Sequence, residues 1–185
     1  MPSFITEQGI LHYEVFGRGK PVILLHGWLG SWNLWHNTML SLGSLYRMYA
    51  LDFSGFGESG KRQNTYLVKD YVNLVNQFMG QLGIESAPLV GHSMGGTVSL
   101  AVAIQYPKRA QKVVVIGSPI VGSSLSLLLK IFGQRIAAWV VYKNLWGLKL
   151  GFRLLAPYYS RDPNWYSMME RDLSKTTLES FLMSI

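Results

Sequence analysis

The chain has 185 residues, 49% of them apolar and 15% charged, with a formal net charge of +7 and no cysteine. That composition is globular and not disordered, and the missing thiols exclude disulfides and thiolate metal sites. The basic excess is spread along the chain, +3 over residues 1–118 (nine Lys/Arg, six Asp/Glu) and +4 over 119–185 (eight and four), with no basic run longer than two residues; a nucleic-acid partner is therefore not expected.

In chain order, Ser3–Glu7 and Ile10–Phe16 read as two short strands joined by Gln8-Gly9, and Gly17–Pro21 as a turn. Val22–Leu25 is a continuous apolar run that suits a strand buried on both faces. His26–Ser31 breaks it, and a helix follows over Trp32–Leu42. Tyr46–Leu51 is the next strand, ending at Asp52 before the glycine-rich loop Ser54–Gly60. Leu67, Tyr71, Leu74, Val75, Phe78, Met79 and Leu82 repeat at spacings of three and four, the apolar face of a helix closed by Gly83. Pro88–Gly91 is a short strand, Met94–Tyr106 a helix stopped by Pro107, and Val113–Ile116 another buried strand. This alternation predicts an α/β fold, a mostly parallel sheet with helices on both faces.

After Pro119 the pattern turns helical: Leu125–Tyr142, Leu145–Ala156 and Asp162–Ile185. Residues 119–185 are therefore expected to form a helical layer added to the sheet unit of residues 1–118. Asp162, Glu170, Asp172 and Glu179 fall on these helical patterns and are expected to be solvated. The aromatic-rich layer from Trp139 to Tyr166 suits the wall of an apolar pocket. Lys/Arg at 130, 135, 143, 149 and 153 could form one wet face, the face a membrane-surface role would use. The most apolar region, Pro119–Tyr142, is interrupted by Lys130, Gln134 and Arg135, and no uncharged stretch within it reaches the ~18 residues of a membrane span. The N-terminal residues lack the basic head and apolar run of a secretory signal, so a cytoplasmic protein is expected.

The chemistry concentrates at Val90-Gly91-His92-Ser93-Met94-Gly95-Gly96. This Gly-x-Ser-x-Gly stands directly after a predicted strand and directly before a predicted helix, the context of a nucleophile elbow. Acyl transfer needs an attacking atom, a base and donors for the oxyanion. Ser93 is the candidate nucleophile, and Gly91 and Gly95 lack the Cβ atoms that would clash at so tight a turn. The Met94 N–H, at the start of a helix, is one candidate oxyanion donor. The Trp28 N–H, in the loop after Val22–Leu25, is the other, with Gly27 allowing close approach. His26 is expected to be hydrogen-bonded within its own loop, His92 to point away from Ser93, and Asp52 to fix the loop that follows it. His12 and His36 are not expected at the catalytic edge. No ligand cluster or dinucleotide fingerprint implies a metal or organic cofactor.

Three segments in order, Leu24-Leu25-His26-Gly27-Trp28, Leu51–Ser59 and Val90–Gly96, resemble the α/β-hydrolase fold of the cap-bearing, serine-nucleophile type. The likeness covers residues 3–118; beyond that it rests on helical, apolar character. Ser54 stands where many members carry arginine. The resemblance implies a serine hydrolase acting on a small carboxylic ester or related carbonyl substrate through an acyl-enzyme. It implies a triad completed by an acid after a later strand and a histidine after the last strand. Epoxide hydrolases and haloalkane dehalogenases of this fold would need a carboxylate at position 93. No histidine follows His92, so the 185 residues are expected to be incomplete for catalysis, lacking the C-terminal strands and helix. The Val113–Ile116 strand would then form an unpaired edge open to self-association. The alternatives are a non-catalytic binding protein of the same fold and one part of a split assembly.

Overall fold

A computed structural model describes residues 2–6, 9–60, 66–119, 142–159 and 164–183. Six strands form one sheet: β1 (Ser3–Thr6), β2 (Gly9–Gly17), β3 (Lys20–Leu25), β4 (Tyr46–Leu51), β5 (Ala87–His92) and β6 (Ala110–Ile116), in the order β1-β2-β4-β3-β5-β6. β1, β2 and β4 pair antiparallel, whereas β4, β3, β5 and β6 run parallel. Three helices connect the parallel strands: α1 (His36–Leu42), preceded by a 3-10 turn at Trp32–Trp35, α2 (Val68–Gln81) and α3 (Met94–Gln105). The helix expected from Trp32 therefore begins as a tighter turn.

Successive side chains of β3 and β4 fall into two different cores, as a period of two requires. Val22, Leu24, Met48 and Ala50 meet Trp35 and Met39 on one face. Ile23, Leu25, Tyr49 and Leu51 meet α2 and α3 on the other, where Tyr71, Leu74, Val75, Phe78 and Met79 are buried. The ends of the predicted α2 stripe differ: Leu67 and Leu82 are exposed because they lie at the helix termini. Asp70 accepts the Leu67 N–H at 2.9 Å in the first turn, and Gly83 closes the helix at φ +66, with the Ile84 N–H returning to the Met79 carbonyl at 2.8 Å. β6 departs from its expected burial. It lies at the sheet edge among the described residues, and Val114 and Ile116 are exposed.

Three further helices follow: α4 (Leu145–Tyr159), α5 (Trp165–Lys175) and α6 (Leu178–Met183). The helix expected over Leu125–Tyr142 lies largely outside the described residues, as do Trp139 and Asp162. The single helix expected from Asp162 is divided at Thr176-Thr177. The Ser180 N–H donates to Thr177 Oγ1 at 3.2 Å, and the Thr177 N–H donates to Ser180 Oγ at 3.1 Å. This reciprocal cap starts a new helix where the apolar period alone would continue the old one.

Candidate functional site

Ser93 follows β5 and caps α3 with φ 51 and ψ −121, a backbone conformation that costs a residue with a Cβ about 1–3 kcal/mol. The flanking elements hold it there. The Ser93 N–H donates to the Ile116 carbonyl at 2.9 Å, continuing the β5–β6 ladder, while the Gly96 and Thr97 N–H groups donate to the Ser93 carbonyl at 3.0 and 3.3 Å. The amides of Met94 and Gly95 consequently stand at the mouth of α3 with no backbone acceptor among the described residues. The glycines are sterically obligatory. A Cβ on Gly91 would collide with the Gly95 carbonyl, and one on Gly95 would press on the Leu25 carbonyl and come within 2.6 Å of the His26 carbonyl.

Register brings the second loop alongside. Leu25 pairs with Gly91, so the next residues of the two strands, His26-Gly27 and His92-Ser93, run on side by side. A Cβ on Gly27 would lie 3.0 Å from Ser93 Cβ and 2.9 Å from His92 Nδ1. The Gly30 N–H closes a turn on the Gly27 carbonyl at 3.1 Å, and Leu29 takes a left-handed φ of 60 within it. Trp28 is at the crest of this turn, its ring 4.9 Å from that of Phe181 on α6.

The histidines have different partners. His26 is fully buried: Nδ1–H donates to the Gly27 carbonyl at 2.7 Å and Nε2 accepts the Phe53 N–H at 2.9 Å. Burial holds it below the ordinary imidazole range, against the smaller upward pulls of Asp52 and the Gly27 carbonyl. It joins the loops after β3 and β4. His92 packs against Gly27, its Nδ1 is buried with no hydrogen-bond partner among the described residues, and burial lowers its pKa. His36 is exposed on α1. Among the described residues no hydrogen bond joins any histidine to the Ser93 hydroxyl.

Two expectations are corrected. His12 does reach the edge where Ser93 sits, because β2 is antiparallel and its start lies opposite Asp52 at the end of β4. Its Nδ1–H donates to Asp52 Oδ2 at 2.7 Å, and its Nε2 lies 3.4 Å from Glu14. Burial alone would lower its pKa, but the hydrogen bond and charge of Asp52, with Glu14, raise it. The order β2-β4-β3-β5 separates it from Ser93 by three strand spacings, about 14 Å. Asp172 is the second correction. It is buried (3% exposed), not solvated, because the α5 face that carries it packs on the sheet unit, where Oδ1 accepts the Ser31 hydroxyl at 2.8 Å. Glu170 is half-buried and Glu179 exposed.

Asp52 is fully buried and ties three segments together. It accepts His12 Nδ1–H, the Trp32 N–H at 2.6 Å and the Glu58 N–H at 2.9 Å. Gly57, at φ +53, makes the last contact feasible, since a Cβ there would strike the Asp52 carboxyl. Among the described residues no cluster of three or more His, Asp or Glu is placed to hold a metal ion. No described helix is long and apolar enough to cross a membrane.

The family model for the alpha/beta hydrolase fold matches residues 20–169. The chain belongs to the alpha/beta hydrolase fold family. Within that family it is 34% identical over 120 residues to epoxide hydrolase 4 of Mus musculus, covering 62% of this chain and 33% of that protein. It is 33% identical over 143 residues to the 2-hydroxy-6-oxo-6-phenylhexa-2,4-dienoate hydrolase of Comamonas testosteroni (68% and 49%). It is 32% identical over 108 residues to the pimeloyl-[acyl-carrier protein] methyl ester esterase of Vibrio campbellii (58% and 41%). The matches span less than half the length of these relatives. The fold also matches an epoxide hydrolase of Bacillus megaterium, with a TM-score of 0.80 at 22% identity over 95% of this chain and 67% of that one. A hydrolase of Pseudomonas aeruginosa gives 0.77 at 19% over 99% and 70%.

Proposed function

We propose that this α/β hydrolase uses Ser93 as a nucleophile on a carbonyl substrate, a carboxylic ester or a related C–C-bond substrate. The observation that carries this reading is the left-handed backbone at Ser93, a strained turn at the end of β5 and the mouth of α3 whose Cβ lies beside Gly27. Ser93 Oγ attacks the carbonyl carbon and passes its proton to a base. The carbonyl oxygen becomes an oxyanion facing the Met94 and Trp28 amides. The bond to the leaving group then breaks, leaving an acyl-serine that water hydrolyses to the acid. The family resemblance assigns the base and its acid to a histidine and a carboxylate following the helical layer, which we take as a cap over the site.

Several relatives are epoxide hydrolases. Epoxide opening on this fold takes a carboxylate where this chain has Ser93, which favours the ester and C–C hydrolases among the relatives as guides to substrate class. The test is a serine-directed phosphonate probe applied to the full encoded protein. Ser93 should be labelled, and Ser93→Ala should abolish the labelling with the fold retained. An unlabelled wild type would remove the enzyme reading and leave a binding protein, or one half of a split assembly, on the same fold.

A further inference from the structure

Asp172 has no role in the chemistry above, yet it is a buried acid on α5 whose side chain, among the described residues, accepts a hydrogen bond only from the Ser31 hydroxyl. Ser31 is itself buried, and its oxygen accepts the Asn33 N–H at 3.3 Å to cap the 3-10 turn. One residue on, the Trp32 N–H is held by Asp52; upstream, the Gly27 carbonyl is held by His26 and by the Gly30 N–H. The segment Gly27–Asn33 is thus pinned at both ends by the sheet unit and, between them, by the Asp172 hydrogen bond from α5.

We propose that Asp172 is a positioning residue: through Ser31 it holds the Gly27–Ser31 turn, and with it the Trp28 amide, so that seating of α5 and alignment of this oxyanion donor are one event. The inference rests on the reading of Trp28 as a donor to the oxyanion. The charged groups facing Asp172 are Asp52 from the sheet unit and Lys175 and Arg171 from α5 itself. Lys175 is also paired with Glu58, which ties α5 to the loop after β4 as Asp172 ties it to the loop after β3. Burial raises Asp172 to about 6, and the charge of Asp52 adds to this against the Ser31 hydrogen bond, Lys175 and Arg171. The seated state therefore favours the protonated acid, and seating weakens as pH rises through that value.

Hydrogen exchange of the peptide spanning residues 27–34, corrected for intrinsic rates, tests this in the full encoded protein, alongside the rate of phosphonate labelling at Ser93. Asp172→Ala and Ser31→Ala should each speed exchange about tenfold, the loss expected for one hydrogen bond to an acid. The double variant should add nothing further, and the β5–α3 region should keep its protection. Asp172→Asn, which still accepts the hydroxyl, should restore exchange and labelling while abolishing the pH dependence of the loop. Unchanged exchange in both Asp172→Ala and Ser31→Ala would overturn the proposal, as would an equal rise in α3, which would mark only a general loss of stability. If Asp172→Ala does not fold, Ser31→Ala and Asp172→Asn decide by the same criteria. An unlabelled wild type would sink the Ser93 reading alone, because the exchange arms report on the loop without any chemistry at Ser93.

Discussion

Two carbonyls fix what residue 95 can be. The β3 strand ends against the first turn of α3, with the Leu25 and His26 carbonyls where any Cβ on Gly95 would go. Gly95→Ala must push helix from strand, and backbone yields less readily than a flexible side chain. We expect a loss of about 1–3 kcal/mol, read as a lower urea midpoint at unchanged slope; an unchanged midpoint would mean that α3 does not press on β3. Gly91 and Gly95 were legible in the sequence because their spacing around Ser93 is itself the signal, and Gly27 because it directly follows the Val22–Leu25 run and its histidine. Gly57 was not, because its necessity comes from the Asp52 carboxyl five residues away, folded back onto it.

Beyond the two apolar cores, buried polar groups tie the loops of different elements together. Asp52 connects β2 through His12, the 3-10 turn through Trp32, and the loop after β4 through Glu58. Asp52→Ala would leave a buried imidazole and two amides without their acceptor. A loss of about 3–5 kcal/mol is expected in equilibrium unfolding; a loss within error of zero would show that the three segments are held by packing alone. The sequence indicated that Asp52 fixes its own loop, but not that His12 joins it. Partnering between residues forty positions apart depends on β2 entering the sheet antiparallel, which local patterning does not encode. Thr177 and Ser180 were missed for a different reason: the apolar period runs through the break, and two hydroxyls override it.

For the whole molecule, the titrating groups pull in opposite directions. Asp172, raised from 3.8 to about 6, contributes stability that is full below its ordinary value and is lost as pH rises through 6, roughly 3 kcal/mol across that window. His12, also raised, contributes below its ordinary 6.5 and loses that contribution as pH climbs through its higher native value. His26 and His92, both lowered, contribute above 6.5 and lose it as pH falls through their native values. Asp172→Asn isolates one of these. Its stability relative to wild type should rise as pH goes from 3.8 to 6 and stay level above, measured by urea unfolding at a series of pH values. A pH-independent difference would show that Asp172 does not titrate in the folded protein.

The amino-acid sequence by itself determined the alternation of strands and helices, the strand-to-helix turn at Ser93, and the glycines that permit it. Each is a local matter of period, steric size and spacing. The tertiary structure alone decided that Gly27 lies against Ser93, that His12 shares Asp52, and that Asp172 is buried on Ser31. These depend on strand order, on the register of β3 with β5, and on which face of α5 meets the sheet unit. Such relations arise between segments far apart in the chain, and no local pattern of residues carries them.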